Sequence, residues 1–257
     1  MADTRNEPKI PANYAGMCIE ELPYLYAENQ DGVTTVFRLD VLTRDPDVPA
    51  AENAVGTDDL HPAVIFLHGG GYVCRCDKRQ GYVATFSRAL TRMGCVVFAP
   101  DYPTFATAEL RDAAGGRAAG YLKAAAAVHA LYVWIAAHAE EYKVDPTRIA
   151  IMGGSAGGWT AFHAVADYPQ DKYRFLGNCW GTPDEQVDVS HFPPTLSIHG
   201  TADQAVSYDL EAPLQAALEQ YGIPHDLVTL EGSKHTPVGR FAEFLPLIEK
   251  YVTEYMR

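Results

Sequence analysis

The chain has 257 residues, 47% hydrophobic and 21% charged, a balance that excludes a disordered or fibrous chain and suits one globular domain with a substantial core. Its 33 acidic residues against 20 basic ones give a formal net charge of −13. Nucleic acid is thereby excluded as a partner, because its phosphates need Lys and Arg, and anionic membrane surfaces are disfavoured for the same reason.

In chain order, residues 1–22 read as an irregular arm over the surface, and 1–8 lack the apolar centre of a signal peptide. Residues 33–42 alternate as an edge strand does, and 43–61, rich in Asp, Pro and Ala, read as a polar loop. The apolar run 63–67 predicts a buried parallel strand. It opens into His68-Gly69-Gly70-Gly71-Tyr72, where successive glycines let backbone N–H groups approach a ligand. A helix is expected over about 80–93. Residues 108–142 hold an Ala-rich helix, weakened or broken around Gly115-Gly116 and Gly120, with Leu122, Ala126, Val133, Trp134 and Ala137 expected in the core. Further helices are expected over about 156–167, 208–221 and 238–255, with strands around 175–180, 194–199 and 226–230. This alternation implies one α/β domain: a mostly parallel sheet with helices on both faces. No apolar run looks long enough to span a membrane. Five cysteines without framework spacing suggest reduced thiols and a cytoplasmic location, although a secreted origin stays open should a leader have been removed. Cys74-Arg75-Cys76 is too short a spacing for a zinc site on its own.

The most informative stretch is Ile149-Ala150-Ile151-Met152-Gly153-Gly154-Ser155-Ala156-Gly157-Gly158. A β-type run enters Gly-x-Ser-x-Gly and a helical segment follows. A turn this sharp strains the serine backbone, crowds the flanking positions and lifts the hydroxyl above the sheet edge. The helix behind it aims its free N–H groups at the same point.

Together with His68-Gly69-Gly70-Gly71 and Gly153–Gly157, the segments Asp101-Tyr102-Pro103 and Val144-Asp145-Pro146-Thr147-Arg148 resemble the α/β-hydrolase carboxylesterases with an HGGG oxyanion loop. The similarity spans about 30–257. The hormone-sensitive-lipase-like branch usually carries Gly-Asp-Ser-Ala-Gly-Gly, where this chain has Gly154 for the Asp. It also has Pro103-Thr104-Phe105 where that branch continues its Asp-Tyr-Arg signature. Both departures point toward acetyl-esterase and feruloyl-esterase-like groups. The resemblance implies Ser155 as nucleophile and Gly70, Gly71 and Ala156 as oxyanion donors, with Gly69 shaping the turn and His68 a structural hydrogen-bonder. Chain order in the family is Ser, acid, His. It selects Asp203, in the loop after the strand at 194–199, over Asp184 and Asp188. It selects His235, after the last strand, with His199 a weak rival.

The chemistry implied is acyl transfer. His235 takes the Ser155 proton during attack on a carbonyl carbon, Asp203 orients and stabilises the imidazolium, and water later hydrolyses the acyl-enzyme. No metal or organic cofactor is called for. The short interval between Ser155 and Asp203 leaves little room for a lid, so a small or absent cap, an open site and short-acyl or acylated-sugar esters are expected. The acidic surface makes neutral or cationic esters the expected substrates. Tyr72, Tyr102, Phe105 and Trp180 are candidate substrate-binding walls. An amide hydrolase, arylformamidase-like or peptidase-like, is the alternative on the same machinery. A non-catalytic binding module of this fold is a third reading, although such modules usually lack a triad member. The partner expected is a small-molecule ester, and the C-terminal helix is the expected face of any homodimer.

Overall fold

The computed structural model describes residues 12–56, 59–73, 77–183 and 187–257. They form an eight-stranded sheet ordered β1-β2-β4-β3-β5-β6-β7-β8, with β1 Met17–Glu28, β2 Thr34–Arg44, β3 His61–Leu67, β4 Val96–Pro100, β5 Val144–Gly154, β6 Tyr173–Cys179, β7 Thr195–Gly200 and β8 His225–Leu230. β2 is antiparallel to both β1 and β4, and the pairings from β4 through β8 are parallel. The helices are α1 Gly81–Arg92, α2 Ala108–Ala113, α3 Arg117–Ala137, α4 Ala156–Asp167, α5 Glu211–Gln220 and α6 Phe241–Tyr255. α3, α4 and α5 bury their apolar residues on one face of the sheet, and α1 and α6 on the other. The mostly parallel α/β architecture is therefore the one expected.

The N-terminal region departs from that expectation. Residues 17–22 are not part of an arm but open the edge strand β1, and β2 is an inner strand. β1 carries Glu20 and Glu21 and is bulged between Pro23 and Leu25. Proline and a bulge are tolerated at an edge, where one side of the backbone needs no ladder partner. β1 is fixed to the sheet's interior by charge as well as by its ladder. Lys78 bridges Glu21 at 3.0 Å and Asp101 at 2.6 Å, while Arg79 holds the fully buried Asp40 at 2.7 Å.

α3 also departs from expectation. The break falls at Gly115-Gly116, and Gly120 lies inside the helix, where the Tyr72 ring packs closely against it. The buried face is Ala124, Ala127, Val128, Leu131 and Ile135. Leu122, Ala126, Val133 and Ala137 face outward, and Trp134 is half-buried. By length and composition alone α3 could cross a bilayer, contrary to the sequence expectation, but its buried face is spent on the sheet. The expectations for residues 1–11, Cys74-Arg75-Cys76 and Asp184 lie outside the described residues.

Candidate active site

Parallel strands align their carboxyl ends on one edge, and ligands of open α/β sheets bind beyond that edge. β5, β7 and β8 each deliver one side chain there. β5 ends at Gly154, and Ser155 follows with φ 56° and ψ −123°, a region that non-glycine residues rarely occupy. The turn is held because its neighbours cannot be anything larger. A Cβ on Gly153 would overlap the backbone of Gly157, and one on Gly157 would overlap the carbonyls of Leu67 and His68. These are backbone atoms with nowhere to move. Gly157→Ala is therefore expected to destabilise the fold by about 1–3 kcal/mol, lowering Tm by roughly 2–12 °C, as thermal unfolding would show.

His235 Nε2 lies 2.9 Å from Ser155 Oγ, and His235 Nδ1 lies 2.7 Å from Asp203 Oδ2. The three residues selected from the sequence thus form one hydrogen-bonded line. Asp203 is fully buried in its side chain, and its Oδ1 accepts the N–H groups of Ala205 at 2.8 Å and Val206 at 3.1 Å. Burial pushes the Asp203 carboxyl upward, but the hydrogen bond from His235, the two N–H groups and the His235 charge outweigh it, leaving the group below its ordinary range. The loops that carry Asp203 and His235 are tied together: Ala202 N–H donates to Ser233 O at 2.9 Å, and Gly232 N–H donates to Thr201 Oγ1 at 2.8 Å.

His199 and Glu211 stand behind Asp203, and sequence reasoning did not find this pair. His199 Nδ1 is 2.8 Å from Glu211, while Nε2 is 3.1 Å from the Val206 carbonyl and 3.3 Å from Asp203 Oδ2. Glu211 also accepts from Thr182 and Asn178. Burial lowers the His199 pKa, yet the Glu211 hydrogen bond and charge, the Val206 carbonyl and Asp203 together raise it above its ordinary value. His199 is turned to the back of Asp203, and it is His235 that meets Ser155. The signal was available in the spacing His199-Gly200-x-x-Asp203, which puts a second imidazole within reach of the acid.

Gly70 and Gly71 have φ of 115° and 61°, values that glycine adopts freely and side-chain-bearing residues do not. Both line the cleft over Ser155, as does Ala156. Ala156 is the first residue of α4, whose leading N–H groups have no acceptor within the helix. Gly69 also borders the cleft, but its N–H is already taken, donating to the Tyr82 hydroxyl. His68 is buried, with Nδ1 2.7 Å from the Gly69 carbonyl and its ring stacked on Tyr102. Burial holds its imidazole below the ordinary histidine range, which fits the structural role expected of it.

The cleft is about 430 Å³, and its side-chain walls are Gln80, Tyr82, Arg111, Arg117, Trp159, Val206 and Thr236. None of Tyr72, Tyr102, Phe105 or Trp180 is among them. All four are core residues with at most 5% exposure. Tyr72 runs under α4, its hydroxyl 3.1 Å from both Ala156 O and Thr160 Oγ1. Tyr102 donates to the His68 carbonyl and so supports the glycine loop from behind. Phe105 bonds the Tyr72 carbonyl through its N–H at 2.7 Å. Trp180 packs edge-on to Tyr82 and Phe86 below the elbow. A larger cleft of about 740 Å³ lies between α5 and the β6–β7 connection and contains no member of the Ser155–His235–Asp203 line. That connection, 180–194, has no helix among its described residues, so no lid of the kind that lipases insert there is built from them.

A family model described as BD-FAE matches residues 52–187, a span holding the glycine loop and the elbow. Comparison with curated proteins finds no sequence match. Among solved structures, a bacterial heroin esterase is similar at TM-score 0.71 and 18% identity, covering 95% of this chain and 86% of its own. Esterase 2 of Thermogutta terrifontis, phosphonylated by cyclosarin, is similar at TM-score 0.68 and 20% identity, covering 96% of each chain. The acetyl ester-xyloside bifunctional hydrolase of Caldicellulosiruptor lactoaceticus is similar at 0.66 and 17%, covering 91% and 95%. At these identities the likeness bears on the fold, which is that of the α/β hydrolases.

Proposed function

The chain belongs to the BD-FAE family of α/β-hydrolase esterases, and from that premise we propose that it is a serine carboxylic-ester hydrolase. The observation that carries the reading is the continuous line Ser155 Oγ–His235–Asp203, at 2.9 and 2.7 Å, opening on a cleft walled by Gly70, Gly71 and Ala156. His235 removes the hydroxyl proton as Ser155 Oγ attacks the ester carbonyl carbon. Charge gathers on the carbonyl oxygen, and the N–H groups of Gly70, Gly71 and Ala156 receive it; each such donor contributes about 3–4 kcal/mol to the transition state. His235 then protonates the departing alcohol. A water deprotonated by His235 releases the acid and regenerates Ser155. Asp203 stays ionised and holds the imidazole in the tautomer that leaves Nε2 free to accept.

The substrates that suit a cleft of about 430 Å³, with no lipase-type lid among the described residues, are short-acyl esters, including acyl groups on sugars. The acetyl ester-xyloside hydrolase among the similar structures acts within that class by its description. The test is a p-nitrophenyl ester series from acetate to palmitate. The expected result is highest kcat/KM from acetate to butyrate with no interfacial activation. A clear preference for palmitate would refute the short-acyl reading, and turnover of anilides but not esters would favour the amide reading.

A further inference from the structure

The charged side chains on the cleft wall are Arg111 and Arg117; no carboxylate lines it among the described residues, Asp203 being buried behind His235. This is the reverse of the chain's overall balance of −13. Distance decides which charge a substrate feels. Surface charges farther off than about 8 Å are largely screened at physiological salt, whereas an arginine on the wall is in contact with whatever enters.

Each arginine is fastened where it stands. Arg111, on α2, donates Nη1 to the Gly71 carbonyl at 3.0 Å and pairs with the exposed Asp112 at 2.7 Å. Arg117 donates Nη1 to the Ala205 carbonyl at 2.9 Å, and its guanidinium lies 5.9 Å from the centre of the Trp159 ring. Among the described residues Arg117 has no carboxylate partner. It is also the first residue of α3, where the helix dipole opposes a cation, so helix stability does not account for it. The segment α2–Gly115-Gly116–α3 thus carries two cations to the cleft, one tied to the glycine loop and one to the acid loop. The N-terminus of α4 adds positive partial charge to the same space. A planar guanidinium with unused donors is matched to a carboxylate.

We propose that Arg111 and Arg117 form an anion subsite, and that the preferred substrates are short esters bearing a carboxylate rather than neutral or cationic ones. The proposal rests on the serine-esterase reading above and narrows it.

Two matched pairs of esters test it: 4-acetoxybenzoate against its methyl ester, with the carboxylate on the leaving group, and p-nitrophenyl hydrogen glutarate against p-nitrophenyl valerate, with the carboxylate on the acyl side. The readout is the ratio of kcat/KM, anionic over neutral, in wild type, Arg117→Gln and Arg117→Lys. Differences in intrinsic reactivity cancel between variants. In at least one pair the ratio is expected to fall about tenfold or more in Arg117→Gln, mainly through KM, and to be largely kept in Arg117→Lys. A ratio that stays within twofold in both pairs, in Arg117→Gln and in the Arg111→Gln/Arg117→Gln double variant, would overturn the subsite while leaving the esterase reading intact. Failure of the wild type to hydrolyse any of the four esters would overturn the esterase reading and the subsite with it.

Discussion

Ser155→Ala is expected to lower kcat on p-nitrophenyl acetate by roughly a millionfold, with the protein folded and its Tm unchanged or slightly raised. The size follows from the division of labour at the site. In the proposed mechanism Ser155 supplies the atom that bonds to the acyl carbon, so His235 and Asp203 have nothing to activate without it. What survives is the cleft and its backbone donors, which can still favour direct attack by water, so a small residual rate above the uncatalysed one is part of the expectation. Stability is expected to hold because Ser155 sits at φ 56° by constraint of Gly153 and Gly157, and alanine meets the same backbone strain as serine. Steady-state kinetics with a thermal melt on the same sample would check both halves. Retention of more than a few per cent of kcat would show that another group is the nucleophile.

Asp203→Asn is expected to reduce kcat by roughly ten-thousandfold, with a much smaller effect on KM. The asparagine fits the buried space and can still accept the Ala205 and Val206 N–H groups on its oxygen. Its amide then faces His235 Nδ1, now 2.7 Å from a carboxylate oxygen, and offers a donor where an acceptor is needed. The imidazole turns to the tautomer carrying its proton on Nε2 and cannot take the proton of Ser155. His199 does not replace Asp203, because its ring is already held by Glu211 and the Val206 carbonyl. His199 and Glu211 brace the acid, and neither reaches Ser155. A drop of tenfold or less in Asp203→Asn would mean that the acid comes from elsewhere.

The line of Ser155, His235 and Asp203 was legible in the sequence because each member follows a strand of a parallel sheet. Chain order and strand ends are sequence properties, and the parallel register of β5, β7 and β8 brings the three loops to one edge. The cleft walls were not legible. Tyr72, Tyr102, Phe105 and Trp180 neighbour the motifs along the chain, but Tyr72 at φ 63° and Trp180 at φ 47° leave their strands in turns that carry the rings inward. The walls come instead from Tyr82, Trp159 and the two arginines, whose placement depends on where α1 and the α2–α3 segment pack. The facing of α3 was misread for a related reason. Alanine, leucine and valine occur all around that helix, so apolar residues mark no single stripe and the buried face is set by the sheet beneath it. β1 was misread because its Glu-Glu pair and Pro23 mask the alternation of an edge strand. The net charge could not report the charge of the cleft, because it averages the whole surface while the wall carries Arg111 and Arg117.

The most direct measurement is the site of covalent reaction. Incubation with a fluorophosphonate, followed by intact mass and peptide mapping, asks which atom is the nucleophile independently of the natural substrate. The account predicts one adduct per chain, on the peptide containing Ser155, absent in Ser155→Ala and strongly slowed in His235→Ala. An adduct on any other residue, or none on folded protein, would contradict it.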